Sequence, residues 1–209
     1  MPDPQLVLLR HGETEWSRTG RHTGTSDIPL TTLGEEQARD AGRTLAGREF
    51  ALTLSSPLLR ARRTAELAGF GHAVADPDLA EWDYGPVEGR TAADVSRELG
   101  RDWLVFRDGV HVVPPAGGAP GEPGTRPGET LDDVAARARG VVARVEPVLA
   151  DGGDVLLVAH GHLLRVLTAV WLEMDPGAAA RFELGTASIS VLGHGHGLRT
   201  MEGWNLPAT

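Results

Sequence analysis

Two short apolar runs stop at the same kind of turn. Gln5 to Leu9 carries Leu6, Val7, Leu8 and Leu9 and runs into Arg10-His11-Gly12; Asp154 to Ala159 carries Val155, Leu156, Leu157, Val158 and Ala159 and runs into His160-Gly161. A run that is apolar at every position has no face for water. Runs this short, bounded by glycine, read as strands covered on both sides, the mark of a parallel sheet between helices. The expected fold class is α/β, a three-layer sandwich with a mostly parallel central sheet. Ligands of open α/β sheets bind beyond the carboxyl ends of the strands. If the two strands are neighbours, two imidazoles and a guanidinium converge there.

The remaining segments fit this plan. Ala51 to Leu54 is a weaker third strand ending at Ser55-Ser56-Pro57, and Ser188 to Leu192 with Leu198 to Glu202 reads as a hairpin at a sheet edge. Thr32 with Glu35 three positions on predicts a capping box and a helix to about Gly47, and Leu58 to Leu67 predicts another. Thr130 with Asp133 caps a third, whose stripe of Leu131, Val134, Ala138, Val141, Val142, Val145, Val148 and Leu149 faces the core. Pro147 is expected to kink that helix or end it near Val145. Gly161 to Leu172 is apolar nearly all round and should be a buried helix. Val112 to Gly128 holds five prolines and five glycines and should be a loop, either a lid or a surface insertion. There is no internal repeat and no sharp change of composition. Residues 1–209 therefore read as one domain with an irregular insertion at about 82–129.

Composition removes whole classes of chemistry. The 209 residues carry a net charge of -9, which disfavours nucleic acid and anionic membranes as partners. Cysteine is absent, excluding disulfides, thiolate nucleophiles and Cys-ligated zinc. All 20 basic residues are arginines, so a P-loop lysine, a Schiff base and a Ser-Lys dyad are excluded too. The first residues lack a basic flank and a long apolar stretch, and no run reaches the roughly 18 apolar residues of a membrane span. A cytoplasmic location is expected. No cofactor and no metal is expected either: the pairs His160/His162 and His194/His196 straddle a strand–helix turn and a hairpin tip, poor settings for shared ligation.

What is left points to phosphate. Arg10 offers a permanently charged fork that fits phosphate oxygens bidentately. Arg60 falls in the first turn of a helix, where a cation is unfavourable unless an anion offsets it, and such a terminus itself binds anions. Arg62 and Arg63 more plainly suit solvent or acidic neighbours. A histidine nitrogen is then the best available nucleophile for phosphorus.

Leu9-Arg10-His11-Gly12-Glu13-Thr14-Glu15-Trp16 resembles the signature of the histidine phosphatase superfamily, in its phosphoglycerate mutase-like branch. The likeness continues in order through Thr23-Gly24, Asp27-Ile28-Pro29-Leu30-Thr31, Gly34, Gln37-Ala38, Ser55-Ser56-Pro57 with Arg60, Glu81, Tyr84-Gly85, Glu88-Gly89, Pro127-Gly128-Glu129-Thr130 and Val158-Ala159-His160-Gly161. Leu79 to Gly85 most resembles acid phosphatases of this family from actinobacteria. The resemblance implies a phosphomonoesterase acting on a phosphorylated small molecule, and a possible homodimer. His11 would form a phosphohistidine, its other ring nitrogen donating to a backbone carbonyl. Arg10, Arg60 and a protonated His160 would neutralise the equatorial oxygens. Glu81 would act as general acid and then general base, favouring mildly acidic pH. Ser17, Thr23, Gly24 and Gly161 would contact substrate. Ser17 stands where many relatives carry Asn, with a shorter reach, and Thr23 reads equally as a turn residue. Trp16 and Trp82 read as packing residues. Two alternatives stand beside hydrolysis: a cofactor-dependent phosphoglycerate mutase, whose relatives carry lysines after the acid, and a silent phosphate-binding module.

Overall fold

Both apolar runs become neighbouring central strands of one sheet. In the computed structural model, which describes residues 3–115, 117, 119, 122 and 124–208, the order is β1 (Leu6–Arg10), α1 (Glu15–Arg18), α2 (Thr32–Thr44), β2 (Leu52–Ser55), α3 (Leu59–Leu67), β3 (Val74–Ala75), α4 (Ala92–Leu99), α5 (Val105–Asp108), α6 (Leu131–Ala150), β4 (Val155–Ala159), α7 (Gly161–Trp171), β5 (Ile189–Gly195) and β6 (Leu198–Leu206). Short 3-10 turns lie at Pro77–Leu79, Gly85–Val87 and Pro176–Arg181. The strand order is β3-β2-β4-β1-β5-β6. The first four run parallel, while β5 is antiparallel to β1 and to β6.

Alternation along the strands builds the three layers, because successive side chains point to opposite faces. Leu6, Leu8, Val155 and Leu157 pack with α6 and α7, whereas Val7, Leu9, Leu156 and Val158 pack with Ala41 and Leu45 of the α2 segment and Ala65 and Ala68 of the α3 segment. Trp82, Tyr84, Val87, Val95, Trp103 and Phe106 join the α6–α7 side, so this part of the 82–129 stretch is anchored in a core.

Register places the chemistry. Leu6 faces Val155 and Arg10 faces Ala159, while Ser55 faces Val158. The pairing reaches one residue further, His11 N–H donating to Ala159 O at 2.9 Å and Ser56 N–H to Val158 O at 2.9 Å. His11, Ser56 and His160 thus emerge together at the carboxyl ends of the parallel strands.

Three local expectations change. Thr31, not Thr32, caps α2, its hydroxyl accepting from Gly34 N–H; the third helical position is then Gly34, so no box forms, and Glu35 pairs with Arg39 and Arg63 instead. Helix α2 stops at Thr44 rather than near Gly47. Helix α6 runs through Pro147 to Ala150: a proline removes one bond near the end of the helix, and the buried Val145 and Leu149 on either side favour continuing the turn. The Thr130–Asp133 capping box is present. Whether Val112–Gly128 forms a lid falls partly on residues 116, 118, 120, 121 and 123, outside the described residues.

Candidate active site

His11 is set for attack by its own backbone. Its Nδ1 lies 2.7 Å from Gly12 O; a carbonyl only accepts, so Nδ1 carries the proton and Nε2 keeps its lone pair. Burial, then the charges of Arg60 and Arg10, push its pKa well below the ordinary histidine value. The ring is therefore neutral near neutral pH. Gly12 is required here because a Cβ would sit 2.2 Å from Gly34 O, where the start of α2 crosses the turn.

His160 lies beside it, ring centroids 5.1 Å apart. Arg60 Nε donates to His160 Nδ1 at 3.1 Å. An arginine N–H can only donate, so Nδ1 is unprotonated, and Nε2–H points at Ser56 Oγ, 2.7 Å away. Burial, Arg60, His11 and Arg10 all depress its proton affinity. With its Nδ1 accepting from Arg60, the ring is neutral here, crowded by two guanidinium groups in a desolvated setting.

Arg60 is wholly buried and held by carbonyls: Nη1 to Ser26 O at 2.9 Å, and Nη2 to Thr23 O at 2.9 Å and Gly24 O at 3.1 Å. The helix terminus behind it is not open to an anion, since Leu59 N–H is taken by Asp27 Oδ1 at 2.7 Å. The anions that offset Arg60 are the carboxylates of Glu81 and Glu88. Arg10 is different. One nitrogen donates to Leu184 O, but its buried Nε has no partner. Orphaned buried donors are rare, and this one belongs to a residue of the cavity wall.

Glu81 reaches α7 across the fold. Oε1 accepts from Trp82 N–H at 3.0 Å and Leu163 N–H at 2.9 Å, and Oε2 from His162 N–H at 3.1 Å. His160, at the cap position, offers α7 no side-chain bond, so this carboxyl serves as the remote cap. Arg137 of α6 fixes its loop, donating to Asp78 O and Ala80 O and forming a bidentate pair with Glu129.

A cavity of about 360 Å³ joins these groups, within the range of small-molecule sites. Arg10, His11, Ser17, Thr23, Glu81 and Gly161 line it, whereas Arg60 and His160 are fully buried and do not. Gly161 leaves room for Arg10, whose guanidinium carbon would lie 3.3 Å from an added Cβ. Ser17 spends its hydroxyl in the α1 capping box, accepting from Thr14 N–H and donating to Thr14 O. The Thr23 hydroxyl donates to Arg21 O. Gly24 turns inward: its N–H goes to the Glu88 carboxylate and its carbonyl to Arg60. Arg63 pairs with Glu35 and Glu66. Among the described residues no cluster of three metal-ligating side chains occurs, and no helix is long and apolar enough to cross a membrane.

The far wall is made by His22, Tyr84, Trp103, Phe106, His162 and Arg165, of which Tyr84 stands out in the sequence only within a motif and His162 only in a discounted ligand pair. His22 sat unnoticed before Thr23-Gly24, and Arg165 was hidden in a helix read as apolar; its guanidinium lies over the Phe106 ring, 4.7 Å from its centre.

The family model described as the histidine phosphatase superfamily (branch 1) matches residues 6–207. An acid phosphatase of Mycobacterium tuberculosis is 39% identical over 199 residues, covering 94% of this chain and 90% of its own. A 2,3-bisphosphoglycerate-dependent phosphoglycerate mutase of Methylocella silvestris is 35% identical over 193 residues, covering 88% and 89%. The solved structure of an open reading frame product of Mycobacterium tuberculosis superposes with a TM-score of 0.86 at 36% identity, covering 99% of each chain.

Proposed function

The chain belongs to the histidine phosphatase superfamily, branch 1, and from that footing we propose that it is an acid-phosphatase-type phosphomonoesterase that works through a phosphohistidine on His11. The observation that carries this is the His11 tautomer: Nδ1–H is tied to Gly12 O, leaving a nucleophilic Nε2 in a cavity that Arg10 and Glu81 also line.

His11 Nε2 attacks phosphorus in line, forming the N–P bond as the ester P–O bond breaks. Arg10, on the cavity wall, takes the phosphoryl oxygens through its guanidinium. Arg60 adds positive charge in a desolvated setting, where electrostatic stabilisation is strongest. A phosphate dianion beside His11 brings the negative charge that His160 lacks, so substrate binding raises its proton affinity. The leaving alkoxide takes its proton from Glu81. Oε2 accepts one backbone bond and Oε1 two, so Oε2 has the lone pair to spare. The resulting carboxylate then takes a proton from water, whose oxygen displaces His11 from phosphorus and yields inorganic phosphate.

The likeness to a mutase gives transfer between carbons of a phosphoglycerate as the competing reading. The largely aromatic far wall supports hydrolysis over transfer between phosphoglycerate carbons. Release of phosphate from p-nitrophenyl phosphate, lost in His11→Ala, is the expected result; conversion of 3-phosphoglycerate without phosphate release overturns it. One domain over 1–209, a cytoplasmic location and a homodimer belong to the same proposal; limited proteolysis, cell fractionation and light scattering test them.

A further inference from the structure

Resting on the phosphomonoesterase reading, we propose that the far wall selects a ring-bearing alcohol with a second hydroxyl group, which His22 and His162 read as a hydrogen-bond acceptor and donor side by side.

The two imidazoles are fixed in opposite tautomers. His22 Nδ1 lies 2.8 Å from Arg90 O, so Nδ1 carries the proton and Nε2 is a bare acceptor. His162 Nδ1 lies 2.7 Å from the Tyr84 hydroxyl. A phenol is the better donor and a neutral imidazole nitrogen the better acceptor, so Tyr84 donates and the His162 proton sits on Nε2. Burial keeps both rings neutral and the phenol protonated. Neither Nε2 has a hydrogen-bond partner among the described residues. Among the described residues, the buried side-chain nitrogens and oxygens without one are Arg10 Nε and Thr53 Oγ1. Both Nε2 atoms are therefore open to solvent, and the cavity that both rings line is that opening.

The ring centroids stand 6.1 Å apart. Both rings line one cavity, where a hydroxyl placed between them can donate to His22 Nε2 and accept from His162 Nε2–H. The surroundings suit a flat, weakly polar skeleton: Trp103 stands edge-on to His22 at 5.3 Å and Phe106 to His162 at 4.8 Å. The group reaches this place because His162 N–H also holds the Glu81 carboxyl at 3.1 Å, putting the wall on the leaving-group side of phosphorus. His22 and His162 are specificity residues in this account.

The test compares cyclohexyl phosphate with its 2-, 3- and 4-hydroxy derivatives, whose leaving groups are chemically alike. The expected result is that at least one hydroxylated ester exceeds cyclohexyl phosphate about tenfold in kcat/KM, and that this ratio falls toward one in His22→Phe and in His162→Phe. A ratio taken within one variant cancels general losses of activity. Wild-type protein that hydrolyses p-nitrophenyl phosphate but treats all four esters alike overturns the inference alone, as does a preference that survives both substitutions. Failure to hydrolyse p-nitrophenyl phosphate as well as the four esters overturns the phosphatase reading and this inference with it. Nitrogen-15 NMR of the wild-type rings reads the tautomers directly: Nδ1–H on His22 and Nε2–H on His162 are expected, and the reverse in either ring contradicts the pairing.

Discussion

Replacing Glu81 by Gln removes a proton and an acceptor at once, and the two losses read out separately. The carboxyl accepts three backbone N–H bonds through two oxygens. An amide has one oxygen: if it keeps Trp82 and Leu163, its NH2 group meets the His162 N–H, and a buried donor is left unpaired. That costs about 1–3 kcal/mol. At about 2–4 °C per kcal/mol for a chain of this size, Tm falls by about 2–12 °C. The catalytic loss depends on the leaving group. An alkoxide needs the proton, so kcat/KM for an alkyl phosphate falls about 10²–10⁴-fold. A p-nitrophenolate does not, so kcat/KM for p-nitrophenyl phosphate falls less than about tenfold. Its kcat still drops, because the second step has lost its base, and stopped-flow absorbance should show a burst of nitrophenol equal to the enzyme present. An equal fall in kcat/KM for both esters refutes the assignment of Glu81 as the acid.

Acid should destabilise the fold earlier than in a protein with exposed histidines. Burial holds His11, His22, His160 and His162 below the ordinary value; below about pH 6.5 the unfolded chain takes up protons the folded one refuses, so stability rises with pH there. Each ring contributes up to about 1.4 kcal/mol per pH unit, and a Tm that is flat from pH 7.5 to 5 contradicts this. Gly24→Ala puts a Cβ 2.5 Å from Trp82 O and 2.7 Å from Glu88 Oε2. It should therefore lower both Tm and kcat/KM by displacing Arg60, and unchanged kinetics would deny Gly24 that positioning role. Inorganic phosphate at a hundredfold excess over its Kd should stabilise the wild type by about 2.7 kcal/mol in thermal melts. Arg10→Gln should lose most of this shift; a full shift in the variant argues that Arg10 does not meet the anion.

Legibility followed how local each constraint was. The strand ends holding His11 and His160 were readable because runs such as Val155–Ala159 fit only a sheet covered on both faces. Arg60 was readable as a cation in a place that disfavours cations. Glu81 was not: it is one of 29 acidic residues, distinguished only by family likeness, and its role as a cap for α7 needs the fold. The neutral state of His160 was beyond sequence, since it follows from two guanidinium groups brought from β1 and α3. The surroundings of Gly24 also need the fold, its N–H being spent on Glu88 from a distant stretch of chain. The aromatic far wall gathers its residues from four stretches of chain, around 22, 84, 103–106 and 162–165, each unremarkable in its own neighbourhood.

The most direct test of the phosphohistidine is to trap it. Glu81→Gln protein mixed with p-nitrophenyl phosphate carrying a radiolabelled phosphoryl group, quenched in alkali to spare an acid-labile bond and digested, should carry the label on the peptide of His11. The double variant lacking His11 should carry none. Full nitrophenol release with no label on His11, or with label on another side chain, contradicts the account.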